Sequence, residues 1–272
     1  MRRVSVRRAR LLIAYDGSAF HGFAPNDGVE TVAGTLNRAI GRVVRGEVEL
    51  TGAGRTDAGV HGWGQVVSVD LPDATDLSGL QRRVNSMCAP HVVVRSIEWT
   101  DDDFNARFSA TWRHYRYTIV NSPVPDPFRT ATAWHVHEPL HVDLMRLGCD
   151  PLIGEHDFAS FCRRPKVRAG DPEPTLVRRV ISARWSSPEP DLLVFEIRAN
   201  AFCHQMVRSI VGTLVDVGRG RLHAGDLSAI LRAHDRAAAG TVAPPHGLCL
   251  WAVGYADSVR SSRRDAGRPP TV

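Results

Sequence analysis

The residues most suited to chemistry lie together in GAGRTDAGVHGWGQ, Gly52 to Gln65, where Arg55, Asp57 and His61 sit among closely spaced glycines. Glycine allows tight turns and close approach of a ligand to the backbone. A carboxylate on such a loop can act as nucleophile or base, and loops carried between strands are where binding and catalysis concentrate. The alternative is a structural loop with a turn-forming aspartate. A phosphate-gripping loop is excluded, because no Gly-Lys-Ser/Thr follows the glycines.

Other constellations carry less. His135 and His137 share one face of a strand, but no third ligand stands near them in sequence, so a zinc site is not expected. Asp101-Asp102-Asp103 reads as a solvated turn and not as a magnesium site. Cys203 and His204 are neighbours in the chain, and neighbours on an element point apart. The cysteines number five, with no C-x-x-C pair, which fits reduced thiols in a cytoplasmic protein. The chain carries 272 residues, a formal net charge of +5 and a sequence pI of about 9.2. Its basic residues are arginines except for Lys166. Arginine suits phosphate and stacks on bases, so nucleic acid is a reasonable partner, although codon bias would write the same ratio. The apolar run behind MRRVSVRRAR is too short for a signal peptide. No apolar run approaches the ~20 residues of a membrane span.

The elements that must hold the Gly-rich loop follow from periodicity. Strands are expected at residues 10–15, 48–50, 65–71 and 92–99, and helices around Leu36, Ala39, Ile40 and Val43 and at residues 77–86. Further along, strands are expected at 112–121, 177–186, 192–199 and 249–255. Helices are expected at 142–152, 204–218 and 227–233, the second with an apolar stripe of Met206, Ile210, Val211, Leu214 and Val217. Both parts run strand, helix, strands, helix, strand. The expected class is therefore α+β: two similar halves, each an antiparallel or mixed sheet backed by helices, with a central cleft lined by the Gly-rich loop. The boundaries are residues 1–108, 109–257 and a tail, 258–272, whose Arg, Ser, Gly and Pro read as disordered.

GRTDAGVHG followed by GQVV closely resembles the signature of the tRNA pseudouridine synthase A family. Further stretches resemble it in the same order: YDGSAFHGF, FNARFSATWRHYRYTI, IGEHDFASF, ANAFCHQMVRSIVG and GLCLWAV, so that the likeness spans roughly residues 10 to 256. It implies a pseudouridine-synthase-like fold and a known reaction. The bond from ribose C1′ to uracil N1 breaks, and C1′ rejoins at C5. No atoms are gained, so no cofactor and no metal is required.

On this resemblance the catalytic carboxylate falls on Asp57. It would attack C1′, stabilise positive character there, or remove the 2′ proton, and the sequence leaves these routes open. Tyr115 matches an active-site tyrosine whose implied role is to stack on the uracil and to assist proton transfer, though Tyr115 and Tyr117 also alternate as strand core would. Arg208 matches an arginine that would keep Asp57 charged and oriented. Leu248 matches an apolar position beneath the base. His204 matches a position in the same motif without an assigned role. Arg55 is placed for a phosphate or flipped nucleotide. Phe104, Asn105, Ala106, Arg107 and Phe108 match an RNA-contact stretch, and Arg163, Arg164, Lys166 and Arg168 offer backbone contacts.

The resemblance further implies a homodimer and a substrate, uridines 38, 39 and 40 of the tRNA anticodon stem-loop, with the target base flipped out. The rival is a non-catalytic RNA-binding protein, against which Asp57, Tyr115 and Arg208 stand together. One departure concerns the loop after Tyr15. The family continues with Gly-Trp-Gln and a second Gln, whereas this chain reads Gly22-Phe23-Ala24-Pro25-Asn26, which puts contacts or geometry there in doubt.

Overall fold

Alternating apolar residues in VRRARLLIAY bury Ala9, Leu11, Ile13 and Tyr15 on one face and form strand β1, Val6–Tyr15. Helix α1, Val32–Val44, presses Leu36, Ala39 and Ile40 onto that face. It starts where the Thr31 side chain accepts a hydrogen bond from the Gly34 N–H, a cap worth about 1 kcal/mol. The short β2, Thr51–Gly52, and the long β3, His61–Pro72, follow, then α2, Leu77–Cys88, and β4, Val92–Trp99. The second part brings β5, Ala110–Asn121; β6, Trp134–Val136; α3, Val142–Leu147; β7, Gly154–Asp157; β8, Val177–Glu189; and β9, Leu192–Ala199. Helices α4, Met206–Gly218, and α5, Asp226–Ala233, precede β10, Leu248–Tyr255. The computed structural model describes residues 5–164 and 173–256. Lys166, Arg168 and the tail 258–272 lie outside them.

The strands form a ten-stranded sheet ordered β4-β1-β3-β10-β5-β9-β8-β7, with β2 added to β3 and β6 to β5. It is mixed: β10 runs parallel to β3, and β6 parallel to β5, among otherwise antiparallel pairs. This is an α+β protein. The ladder between β3 and β10 pairs Cys249 with His61 and Leu250 with Gly62. Two large cores flank this junction. One joins α1 and α2 to β1, β3 and β4. The other packs Ile210, Val211 and Leu214 of α4 against Tyr117, Phe195 and Ile197.

Several boundaries differ from those expected. Residues 48–50 form no strand, and pairing falls instead on Thr51 and Gly52 opposite Ser68 and Val67. β3 begins at His61, inside the Gly-rich stretch. The helix expected to Leu152 stops at Leu147 and resumes as one 3-10 turn at Asp150–Leu152. Pro151 has no N–H to continue it. Cys162 and Cys203, expected as free thiols, are joined as a disulfide with Cα atoms 5.7 Å apart. No helix among the described residues is long and apolar enough to cross a membrane.

Candidate active site

Residues 53–60 fill the junction between β3 and β10, and alternate in what they face. Thr56 is buried and its hydroxyl lies 2.9 Å from that of Tyr15. Val60 joins the core of α4. Arg55 points to solvent. Asp57 lies between these, its side chain 29% exposed. His61 is no free ligand: the Gly17 N–H donates to its Nδ1 at 3.1 Å, and Nε2 faces the carbonyls of Ala131 and His246 at 3.0 and 3.1 Å.

The turn after β1 cradles the loop. Gly22 has φ of +100°, and a Cβ there would stand 2.9 Å from the Thr56 carbonyl oxygen. The neighbouring Phe23 N–H donates to that oxygen at 3.1 Å. Phe23 is buried, and its ring occupies the space beside Gly52 that a side chain would need. The segment that departs from the family pattern thus keeps its packing through Phe23, while Ala24 is half-buried and Asn26 exposed.

Asp57 meets two partners from the far end of the chain. Arg208 Nη1 lies 3.4 Å from Asp57 Oδ2, and His204 Nε2 lies 3.2 Å from Oδ1. Arg208 is 14% exposed and held in the first turn of α4. Its Nε donates to the Ala243 carbonyl at 2.7 Å, and the Ala243 N–H returns a bond to the Arg208 carbonyl at 3.0 Å. Gly212 makes this approach possible, since any side chain there would run into the Thr241 carbonyl. The arginine is therefore anchored at two points before it reaches the carboxylate.

Tyr115 sits on β5 opposite Leu250 and Ile197, buried, with its ring edge-on to Phe202 at 5.0 Å. Among the described residues its hydroxyl makes no hydrogen bond, and it stands 3.8 Å from where a Cβ on Gly54 would be. Burial first, and the charge of Asp57 second, push its phenol well above the ordinary value. Leu248 begins β10 in register with Tyr117, which donates from its hydroxyl to the Pro244 carbonyl at 2.8 Å. Leu248, Tyr115 and Val60 share one core.

The stretch from Phe104 to Phe108 is set apart from Asp57 by its own packing. Phe104 packs on Tyr255, and Ala106 is buried against Val66. The Asn105 side chain accepts from the N–H groups of Arg107 and Phe108. Phe104 and Asn105 are half-buried, whereas Arg107 and Phe108 are exposed, Phe108 with 78% of its surface. Arg113 ties this stretch to the loop, donating to the carbonyls of Ala53, Arg107 and Asn200. Sequence reasoning missed Arg113 as this link and His204 as a partner of Asp57. Only the position of His204 four residues before Arg208 hinted at the latter. Arg163 and Arg164 lie on the opposite side of the Cys162–Cys203 bridge in sequence, and the Arg163 N–H donates to the His204 carbonyl at 2.9 Å.

Comparison with known proteins adds to this geometry. A family model described as tRNA pseudouridine synthase matches residues 149–256. A protein described as tRNA pseudouridine synthase A from Brevibacillus brevis is 39% identical over 254 residues, covering 92% of this chain and 100% of the relative. One of the same description from Frankia casuarinae is 41% identical and covers 97% of each, and one from Burkholderia thailandensis is 42% identical, covering 91% of this chain and 90% of the relative. Among solved structures, a chain of a Cbf5-Nop10-Gar1 complex aligns at 15% identity and a TM-score of 0.33, covering 76% of this chain and 45% of that one. That overlap is too loose to build on.

Proposed function

The chain belongs to the tRNA pseudouridine synthase A family and converts uridine to pseudouridine in tRNA; we propose that it does so at positions 38, 39 and 40 of the anticodon stem-loop, with Asp57 as the carboxylate that engages the ribose. The observation that carries this reading is the pairing of Asp57 with Arg208 at the β3–β10 junction, beside a buried Tyr115 whose hydroxyl is unengaged. The two large cores support an architecture of two similar halves, residues 1–108 and 109–257, with the target uridine flipped into a cleft between them.

In this reading Asp57 attacks C1′, or takes the 2′ proton, as the C1′–N1 bond breaks and its electron pair passes to the uracil. The base turns, and C5 bonds to C1′ as the Asp57–C1′ bond breaks, or as the proton held by Asp57 returns to C2′; the C5 proton then passes to the freed carboxylate or to water. Arg208 orients the carboxylate and balances its charge. Tyr115, buried and with its phenol pushed up by burial and by the charge of Asp57, is a platform for the ring and stands where it can assist proton transfer. Leu248 closes the apolar floor. Arg55, Arg107 and Phe108 are the exposed groups placed for RNA, while Phe104, Asn105 and Ala106 shape the turn that presents them. A homodimer acting in the cytoplasm completes the proposal.

The test is to incubate the protein with unmodified tRNA and map pseudouridine for wild type and Asp57→Ala. Product at 38–40 from wild type and none from Asp57→Ala is expected, with RNA binding largely kept. An active Asp57→Ala removes that residue from the chemistry. RNA binding by a wild type that makes no product removes the enzyme assignment.

A further inference from the structure

We propose that His204 is a positioning residue for the isomerisation, its imidazole, with Nε2 3.2 Å from Oδ1, confining the Asp57 carboxylate beside Arg208; this rests on the role given to Asp57 above. The two carboxylate oxygens have different environments. Oδ2 faces Arg208, which is 14% exposed and anchored on Ala243, whereas Oδ1 faces His204, which is 44% exposed. Oδ1 is thus the oxygen whose partner is the more exposed. A carboxylate oxygen has two lone pairs, so with His204 Nε2 at 3.2 Å it still presents a pair to C1′ or to the 2′ proton. With Arg208 donating to Oδ2 and the His204 ring against Oδ1, rotation about Cβ–Cγ is restricted. Asp57 then has one orientation, and a reacting group already in its attack geometry is worth orders of magnitude in rate.

The backbone around His204 is built to aim it. Its carbonyl accepts from the Arg163 N–H at 2.9 Å, and the preceding Cys203 is bonded to Cys162. The Met206 N–H donates to the Cys203 carbonyl at 3.1 Å. The following Gln205 is left-handed, with φ of 64°, a conformation few non-glycine residues adopt. The chain therefore turns sharply between His204 and α4. That turn lets His204 and Arg208 reach the same carboxylate from one segment. Strained backbone of this kind clusters at functional sites.

The experiment compares His204→Phe, which keeps a ring but loses Nε2, with His204→Gln, whose amide nitrogen can replace Nε2. Single-turnover pseudouridine formation on unmodified tRNA is measured with tRNA affinity and Tm. His204→Phe is expected to slow the chemical step about 10- to 100-fold, the scale of one lost orienting contact, with tRNA affinity within about twofold. His204→Gln is expected to recover most of the rate. A His204→Phe variant at wild-type rate overturns the proposal, as does His204→Gln no better than His204→Phe, or a rate loss matched by lost affinity. If Asp57→Ala is inactive while His204→Phe is fully active, only the role of His204 falls; if Asp57→Ala is active, the reading it rests on falls too.

Discussion

Replacing Gly22 by alanine loads the catalytic loop in two ways that can be separated. The φ of +100° is outside what alanine adopts without strain, and such a residue costs on the order of 1–2 kcal/mol. The new Cβ would also stand 2.9 Å from the Thr56 carbonyl oxygen and 3.5 Å from the Asp57 carbonyl carbon and the Ala58 nitrogen. Carbon–oxygen contacts normally begin near ~3.3 Å, so the peptide carrying Asp57 must retreat by roughly 0.4 Å. A 1 Å misplacement of a reacting group costs about 10²-fold, and 0.4 Å scales to a rate loss of about 5- to 10-fold. Gly28 is the control. Its φ is +79°, yet a Cβ there would meet nothing within 4 Å. Both alanine variants should lose stability in urea unfolding, Gly22→Ala the more because the clash adds to the φ strain, while only Gly22→Ala should slow single-turnover pseudouridine formation under conditions where both are folded. Equal rate losses in the two variants, or a wild-type rate in Gly22→Ala, would refute the claim that the turn after β1 sets the position of Asp57.

Arg208→Met should lower the rate about 10²- to 10³-fold, as removal of a preorganised charged donor does, and Arg208→Lys about 10-fold, since an ammonium keeps the charge but cannot hold Ala243 and Asp57 together; a Met variant within a few-fold of wild type would count against the pairing. Glu196, 9% exposed, is ringed by His114, Arg116 and Arg184, and hydrogen bonds from His114 foremost, then Arg184 and Arg116, outweigh burial and hold its carboxyl well below the ordinary range. A lowered folded pKa contributes stability that is complete above the unfolded value of ~4.3 and is lost as pH falls through that value toward the folded one. Glu196→Gln should therefore cost about 2 kcal/mol at pH 7, with the difference from wild type shrinking steadily between about pH 5 and pH 3 in urea titrations; a constant difference across that range contradicts the ion-pair account.

Long periodic segments were legible in the sequence because burial imposed their period. Leu36, Ala39 and Ile40 mark α1, and β4 occupies the span its alternation predicts. β6 and β7 were invisible: three and four residues carry no period, and each exists only because a distant strand, β5 or β8, offers it an edge. The start of β3 was misread for a different reason. Gly62 and Gly64 look like loop residues, since glycine weakens strands. Here they give room for the Tyr15 ring and the Trp251 carbonyl, a tertiary demand without local signature. The same division holds at the site. Asp57 stands out by its neighbours in sequence, but His204 and Arg208 meet it only through the path of α4, and nothing local reveals that Asn105 spends its side chain on a turn.

The short parallel pairing of β3 with β10 and the position of Asp57 belong together. β3 and β10 share two ladder pairs and are held further by Trp63 stacked on Trp251 and by Gly64 against the Trp251 carbonyl, and the loop between residues 52 and 61 touches both cores beside them. Its supports are divided. Tyr15, Gly22 and Phe23 hold Thr56 from the side of β1, whereas Val60 is packed into the core of α4. The charged partners of Asp57 come only from that second side. A displacement of one core against the other would therefore alter the Asp57–Arg208 separation directly, while leaving each core intact. Arg113 opposes such a displacement. It reaches from β5 to Ala53 at the loop's stem, to Arg107 and to Asn200 before the His204 turn, with no carboxylate among its hydrogen-bond partners. Burial lowers the Arg113 pKa from its ordinary value, while its hydrogen bonds go to main-chain carbonyls. Its bonds are directional and its position is set by backbone. The distance across the junction is thus fixed by main-chain geometry, and the carboxylate at its centre inherits that precision.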